Sequence, residues 1–413
     1  MKADKRLKLR GKRKKIVDKI NASNTRSETK SAYSAHPKKR KIFFRVLFSV
    51  LAISLFLFLV LNINYLTPGK MKEHIGAVFA DTGHGAGFPY RFSSNEIKDF
   101  SSFYSNDIVI LTDSDLMILN RSAKPVLTYK HSMSNPIMKC SRDRILLYDQ
   151  GASKAVILNQ NGVVIDFPID AKIICADICN NGKTAIVTRN DSKKEFLNVY
   201  AYSGKRIMNW QKGAGYIIDT TLSENGNYVG VAILDTEDAV QTVTILNFTV
   251  SNAKQKGNTK IKSSTFYGMD FLSSNDLAVL CDNKIFVFNS KCEGKKDLEI
   301  NASNSLQLYT DNRGQIIHTY SLFNNGTYSV DVYNSNLKKI YSKECKQDII
   351  TTGSDGKSIY VLYTNKNVEL NMIGGKVTYL AKPDNLGSFA AIKGKNIYVC
   401  SNGCIEKVKA KKQ

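Results

Sequence analysis

The chain has 413 residues, 43% of them hydrophobic and 23% charged, with 19 Phe, 20 Tyr, seven Pro, eight Cys and one Trp. This balance excludes wholesale disorder, a collagen repeat and a disulfide-knot scaffold. The net charge of +23 looks like a nucleic-acid signal until it is divided: residues 1–45 hold 17 Lys/Arg and three acids, so +14 sits there and only +9 in the other 368 residues.

The first segment, residues 1–45, is basic and too poor in apolar residues to fold alone. It has no aromatic residue before Tyr33 to stack on bases, which disfavours nucleic acid as its partner. The stretch from Val46 to Leu66, VLFSVLAISLFLFLVLNINYL, carries no charge over 21 residues. At a helical rise of about 1.5 Å per residue it is long enough to cross a bilayer. Lys38-Lys39-Arg40-Lys41 and Arg45 precede it, so the positive-inside rule places the N-terminus in the cytoplasm and the C-terminal region outside the cell membrane. A cleaved signal peptide is the rival reading. Its basic region would be unusually long, and its best small-residue cleavage site, Val78-Phe79-Ala80, lies well beyond the apolar run. Residues 67–84 read as a juxtamembrane linker.

From residue 85 onward, short apolar runs alternate with turns rich in Asn, Asp, Gly and Ser, which is an all-β pattern. A polar turn followed by a very apolar strand recurs eight times, the strands opening near Ile108, Ile145, Ala185, Tyr228, Leu277, Ile316, Ile359 and Ile397. The separations are 37, 40, 43, 49, 39, 43 and 38 residues. This is close to the roughly 40–50 of a four-stranded propeller blade. The expected fold is therefore a β-propeller of eight four-stranded blades over residues 85–413, with seven blades as the alternative. The last unit has only three strands, SFAAI, NIYVC and CIEKV, and Phe88–Phe92 can supply its fourth, closing the ring without an open edge.

The stretches GAGFPYRFSS, IVILTDSDLMIL and NPIMKCSRDRILLYDQG, most specifically Gly87-Phe88-Pro89 and Tyr148-Asp149-Gln150-Gly151, resemble a bacterial family of single-span membrane proteins catalogued only as a domain of unknown function. The resemblance runs from about Gly85 to the C-terminus. It implies a propeller-type ectodomain and brings no activity and no site residues.

Motifs for chemistry are sparse. Asp81-Thr82-Gly83 spells an aspartic-protease triplet, but in a single copy within the linker, and Gly83-His84-Gly85-Ala86-Gly87 beside it lacks the strand and helix of a phosphate loop. The five His, His36, His74, His84, His131 and His318, are scattered without paired spacing. All eight Cys follow the apolar run; Cys400 and Cys404 flank a predicted hairpin turn and form a candidate disulfide, whereas Cys175 and Cys179 lie too far apart on one strand. No paired CxxC spacing points to zinc, and the acids of Asp235-Thr236-Glu237-Asp238 read as a solvated hairpin tip rather than a calcium loop. No cofactor or metal is predicted. The expected function is non-enzymatic: a membrane-anchored propeller that binds or scaffolds an envelope protein or an anionic wall polymer. The alternative is an enzyme or cofactor-binding propeller with its site in the central channel, which convergent carboxylates, His or a metal at the ring axis would favour.

Overall fold

The computed structural model describes residues 45–54, 56–57, 83–93, 96–103, 107–272, 275–300, 305–311, 313–323, 327–375, 378–393, 396–401, 403–409 and 411–412. The chain divides into two compact units, Met1–Pro68 and Gly69–Gln413. Within the first, residues 45–54 and 56–57 are helical, and Val46, Phe48, Ile53 and Phe56 are exposed. Among the described residues no helix is long and apolar enough to cross a membrane. The remainder of the helix expected over 46–66 lies outside the described residues, as do the basic tail up to residue 44 and most of the linker.

The second unit is a propeller of eight antiparallel sheets. The first strands of blades 1 to 8 are Ile97–Phe103, Pro136–Cys140, Lys172–Ile178, Tyr216–Leu222, Phe266–Phe271, Ser305–Thr310, Ile349–Ser354 and Phe389–Lys393. In blades 1 to 7 four consecutive strands lie side by side in chain order. Blade 8 takes its fourth strand from the N-terminal side, where Tyr90–Arg91 pairs with Cys404–Lys409 in the register Tyr90↔Ile405 and Arg91↔Cys404. The ring thus has eight blades and closes as the missing strand required. One pairing has no precursor in the repeat: Lys411–Lys412 adds a fifth strand to blade 7, opposite Tyr379 and Leu380.

All eight apolar residues that set the period lie in second strands. A second strand has sheet neighbours on both edges and another blade against each face, so both of its faces are dry and its sequence runs apolar without alternation. Asp107–Thr112, Ile145–Asp149, Leu277–Cys281 and Ser358–Tyr363 are buried throughout. Fourth strands lie at the rim, and Gly294–Glu299 is almost wholly exposed.

The abundance of Asn is turn chemistry. In the turns after the third strands of blades 1, 5 and 6, the Oδ1 atoms of Asn120, Asn289 and Asn334 accept N–H bonds from residues two and four further on, and Ala123, Cys292 and Leu337 adopt positive φ.

Apolar clusters fill the seams between blades. Blades 3 and 4 share Val187, Leu197, Val199, Ile217, Val229 and Val231, among others. The seam between blades 5 and 6 holds a smaller set, including Leu280, Ile285, Val287 and Ile316. The rest of that seam is polar.

Candidate functional site

Two cavities, of about 860 Å³ and about 300 Å³, share Lys139, Tyr309 and Thr310 and together take first-strand residues from all eight blades. The first strands therefore surround an axial channel. In six of them the pairing register slips by one residue at the same place, before Asp99, Cys175, Asp219, Gly268, Gln307 and Thr351. A bulge leaves one residue without a partner and bends the strand, which re-aims the side chains after it.

Those side chains staple blades 3 to 7 in succession. Asp177 Oδ2 accepts the Leu222 N–H at 2.8 Å, Asp219 Oδ2 the Met269 N–H at 3.2 Å and Gln307 Oε1 the Thr352 N–H at 2.7 Å. Asp270 accepts the hydroxyls of Thr221 at 3.1 Å and Thr310 at 2.5 Å. Among the described residues Asp99 accepts only the N–H of its neighbour Phe100, at 2.7 Å.

Lys139, on the first strand of blade 2, faces this set. It is solvent-accessible within the channel although protein encloses it laterally. Among the described residues its ammonium makes no hydrogen bond and no ion pair. Burial pulls its pKa down, but the fields of Asp177, Asp219, Asp270 and Asp99 more than reverse this and hold it above the usual lysine value. Burial pushes the Asp219 carboxyl up to about 6, against the lowering effect of Lys139 and the Met269 and Thr220 N–H groups. Asp99 and Asp270 are likewise pushed up by burial. The Tyr309 hydroxyl is buried with no hydrogen-bond partner of good geometry; burial raises its pKa and the Thr352 hydroxyl opposes this. The nearby Thr352 hydroxyl is engaged by Gln307 at 2.8 Å and Thr319 at 3.1 Å.

A second polar cluster lies in the seam between blades 5 and 6, beside a cavity of about 320 Å³ lined by Glu299, His318, Tyr320, Asp331, Tyr333 and Lys339. Asp331 is fully buried and its carboxylate receives five donors: Ser342 Oγ at 2.6 Å, Lys339 Nζ at 2.8 Å, Tyr320 and Tyr333 hydroxyls at 3.1 Å, and Ser329 Oγ at 3.2 Å. Burial alone would raise this carboxyl; Lys339, Ser342 and Tyr320 overcome it and hold the pKa below the usual value. His318 pairs across the sheet with Asp331, and its Nε2 lies 2.6 Å from the Ser305 hydroxyl. Burial lowers the His318 pKa to about 4. Ser305, His318 and Asp331 are the residue types of a hydrolytic triad, but none of the five donors to Asp331 is the imidazole. A triad needs that bond to orient its base. The cluster is a saturated structural network.

The candidates from sequence fare differently. Cys400 and Cys404 do flank a hairpin turn, yet the register pairs Cys400 with Ile405 and Cys404 with Ser401, so the two side chains leave opposite faces of the sheet. Both are buried free thiols, as are Cys175 and Cys179, which sit in the seam of blades 3 and 4. Asp235–Asp238 forms the tip of a long hairpin, with Asp238 and Ala239 at positive φ. Asp81 and Thr82 lie outside the described residues. Among the described residues no group of three or more His, Cys, Asp and Glu is placed to hold a metal ion. The axial carboxylates and Lys139 escaped the sequence reading. Their signal is an Asp inside an otherwise apolar first strand, as in ADI, IIDTT and MDF.

Among curated proteins no sequence match is found. Solved propellers share the fold at low identity. The computationally designed Ika8 protein aligns with a TM-score of 0.59 at 11% identity, covering 78% of this chain and 98% of that one. Sqt1 of Saccharomyces cerevisiae aligns at 0.56 and 9%, covering 78% and 97%, and the C-terminal WD40 domain of Sif2 at 0.55 and 10%, covering 79% and 99%. A family described as a family of unknown function, DUF5711, matches residues 90–409.

Proposed function

Because the chain belongs to the DUF5711 family of unknown function, which lends it no activity, we propose from its own geometry that it is a membrane-anchored, extracytoplasmic, non-enzymatic binding module. One propeller face holds an anionic envelope partner, either a polymer or an acidic protein surface. The uncharged run of residues 46–66, its basic N-terminal flank and the exposed apolar side chains of the described helix support the anchor and its orientation.

The observation that carries the binding reading is the charge difference between loop sets. Among the described residues, the loops from third to fourth strands carry Arg121, Lys124, Lys205, Lys291 and Lys338 against one acid, Glu293. The loops from second to third strands emerge on the opposite face, and their acids Asp113, Asp191, Asp238 and Asp282 balance Lys154, Lys193, Lys194 and Lys366. The chain also enters the propeller beside the basic set. Gly87 N–H donates to Ser122 O at 3.1 Å and Gly85 N–H to Ser122 Oγ at 3.0 Å, in a contact so close that a Cβ on Gly85 would lie 2.4 Å from Lys124 N. Fixed cationic loops on one face of a rigid disk attract polyanions, and salt screens that attraction.

Titrating full-length protein in detergent with polyphosphate tests this. Affinity should fall steeply as salt rises, and a charge-reversed R121E/K205E/K338E variant should lose at least about tenfold. Equal binding by the variant would sink the reading. In-cell crosslinking of the same pair then identifies the partner. A second reading, a small ligand in the channel, is favoured by the carboxylates gathered around Lys139.

A further inference from the structure

We propose that the axial channel is a binding site for a small zwitterion, a molecule carrying one ammonium and one carboxylate group, such as an amino acid or a short peptide. This deepens the second reading and is independent of the basic face.

The two axial cavities, about 300 Å³ and about 860 Å³, are in the size range of small-molecule sites. Their charges differ. The smaller cavity sets Asp177, Asp219 and Asp270 against a single cation, Lys139, so it favours an ammonium group. The larger one sets Lys139, Arg313 and Lys357 against Asp99 and Asp355, so it favours a carboxylate. Lys139 stands where the two meet. A simple anion placed there faces three carboxylates, and a simple cation faces the lysine; a molecule bearing both charges matches both ends. Low-dielectric walls strengthen each preference.

The groups are also held ready. Asp177, Asp219 and Asp270 are each fixed to the next blade by the staples described above, so a ligand meets carboxylates that need little reorganisation. Lys139 has no protein partner to give up among the described residues.

The test is calorimetric titration of the full-length protein in detergent with glycine, L-alanine and glycylglycine, alongside putrescine as a dication and acetate as an anion. At least one zwitterion should bind, with putrescine and acetate at least about tenfold weaker. Lys139→Met and Asp219→Asn should each weaken zwitterion binding about tenfold or more. Urea unfolding of each variant guards against loss through misfolding. The R121E/K205E/K338E variant should bind the zwitterion normally, which separates failure of this site from failure of the face. The proposal falls if no zwitterion binds, if putrescine or acetate binds as well, or if folded Lys139 and Asp219 variants bind unchanged.

Discussion

The two buried polar clusters of the propeller use the same ingredients, aspartates, a lysine and tyrosines, and differ in how completely they satisfy one another. In blade 6 the Asp331 carboxylate is closed off by five donors, with Lys339 in direct contact at 2.8 Å. On the axis, among the described residues, Lys139 feels four aspartates without touching one. A polar network that satisfies itself replaces apolar packing and holds a seam together; one that leaves charges facing an open cavity has capacity for something else. Composition alone would have put both in one class.

The sharpest way to break that contrast is to delete one carboxylate from each. Asp331→Ala leaves the buried Ser329 and Tyr333 hydroxyls unpaired, while the exposed Lys339 and Ser342 turn to water, and should cost about 2 kcal/mol of stability in urea unfolding. Asp99→Ala removes a carboxylate whose one protein hydrogen bond is to the next residue, and should cost less than about 1 kcal/mol. Equal losses would mean that the axial carboxylates are as structural as Asp331.

Acidification separates the clusters by sign. The folded His318 value, about 4, lies below its unfolded 6.5. Both states are neutral above pH 6.5, and as pH falls toward 4 the unfolded chain takes up a proton that the folded one refuses, so about 3 kcal/mol of stability is lost. Asp219 runs the other way. Its folded value of about 6 lies above its unfolded 3.8, so stability is gained as pH falls through that window. The gain is somewhat smaller than the His318 loss because the displacement from the unfolded value is smaller. Unfolding at pH 7, 5 and 4 should therefore show a flatter acid limb for His318→Gln and a steeper one for Asp219→Asn than for the parent. Matching slopes in all three would remove both clusters from the acid response.

The ring was legible in the sequence because its signal is repeated. Second strands are dry on both faces in every blade, so the same apolar run returns eight times, and the shortfall of one strand at the C-terminus was itself informative. The pairing of Lys411–Lys412 with blade 7 was not legible, since two lysines carry no strand pattern. Neither was the axial site. Asp99, Asp177, Asp219 and Asp270 sit in four different blades, each a lone acid within its strand; only ring closure and the shared bulge bring them around Lys139. Cys400 and Cys404 show the opposite failure. Their spacing across a turn was read correctly, but disulfide geometry depends on register, and the pairing of Cys404 with Ser401 turns the two thiols to opposite faces.

The finest test of the contrast removes the same atom from each cluster. The Tyr333 hydroxyl donates to Asp331 at 3.1 Å, so Tyr333→Phe deletes one of five donors to a buried carboxylate and should cost about 1–2 kcal/mol. The Tyr309 hydroxyl has no partner of good hydrogen-bond geometry, and the Thr352 hydroxyl that acts on it is already held by Gln307 and Thr319, so Tyr309→Phe gives up little and relieves a buried polar oxygen of its desolvation cost. Its expected effect is within about 0.5 kcal/mol of zero, on the stabilising side if any. Because ring packing is nearly unchanged in both variants, the difference between them isolates the partner rather than the side chain. A Tyr309→Phe loss as large as that of Tyr333→Phe would show that the channel hydroxyl is firmly bonded within the fold and that the two clusters are alike.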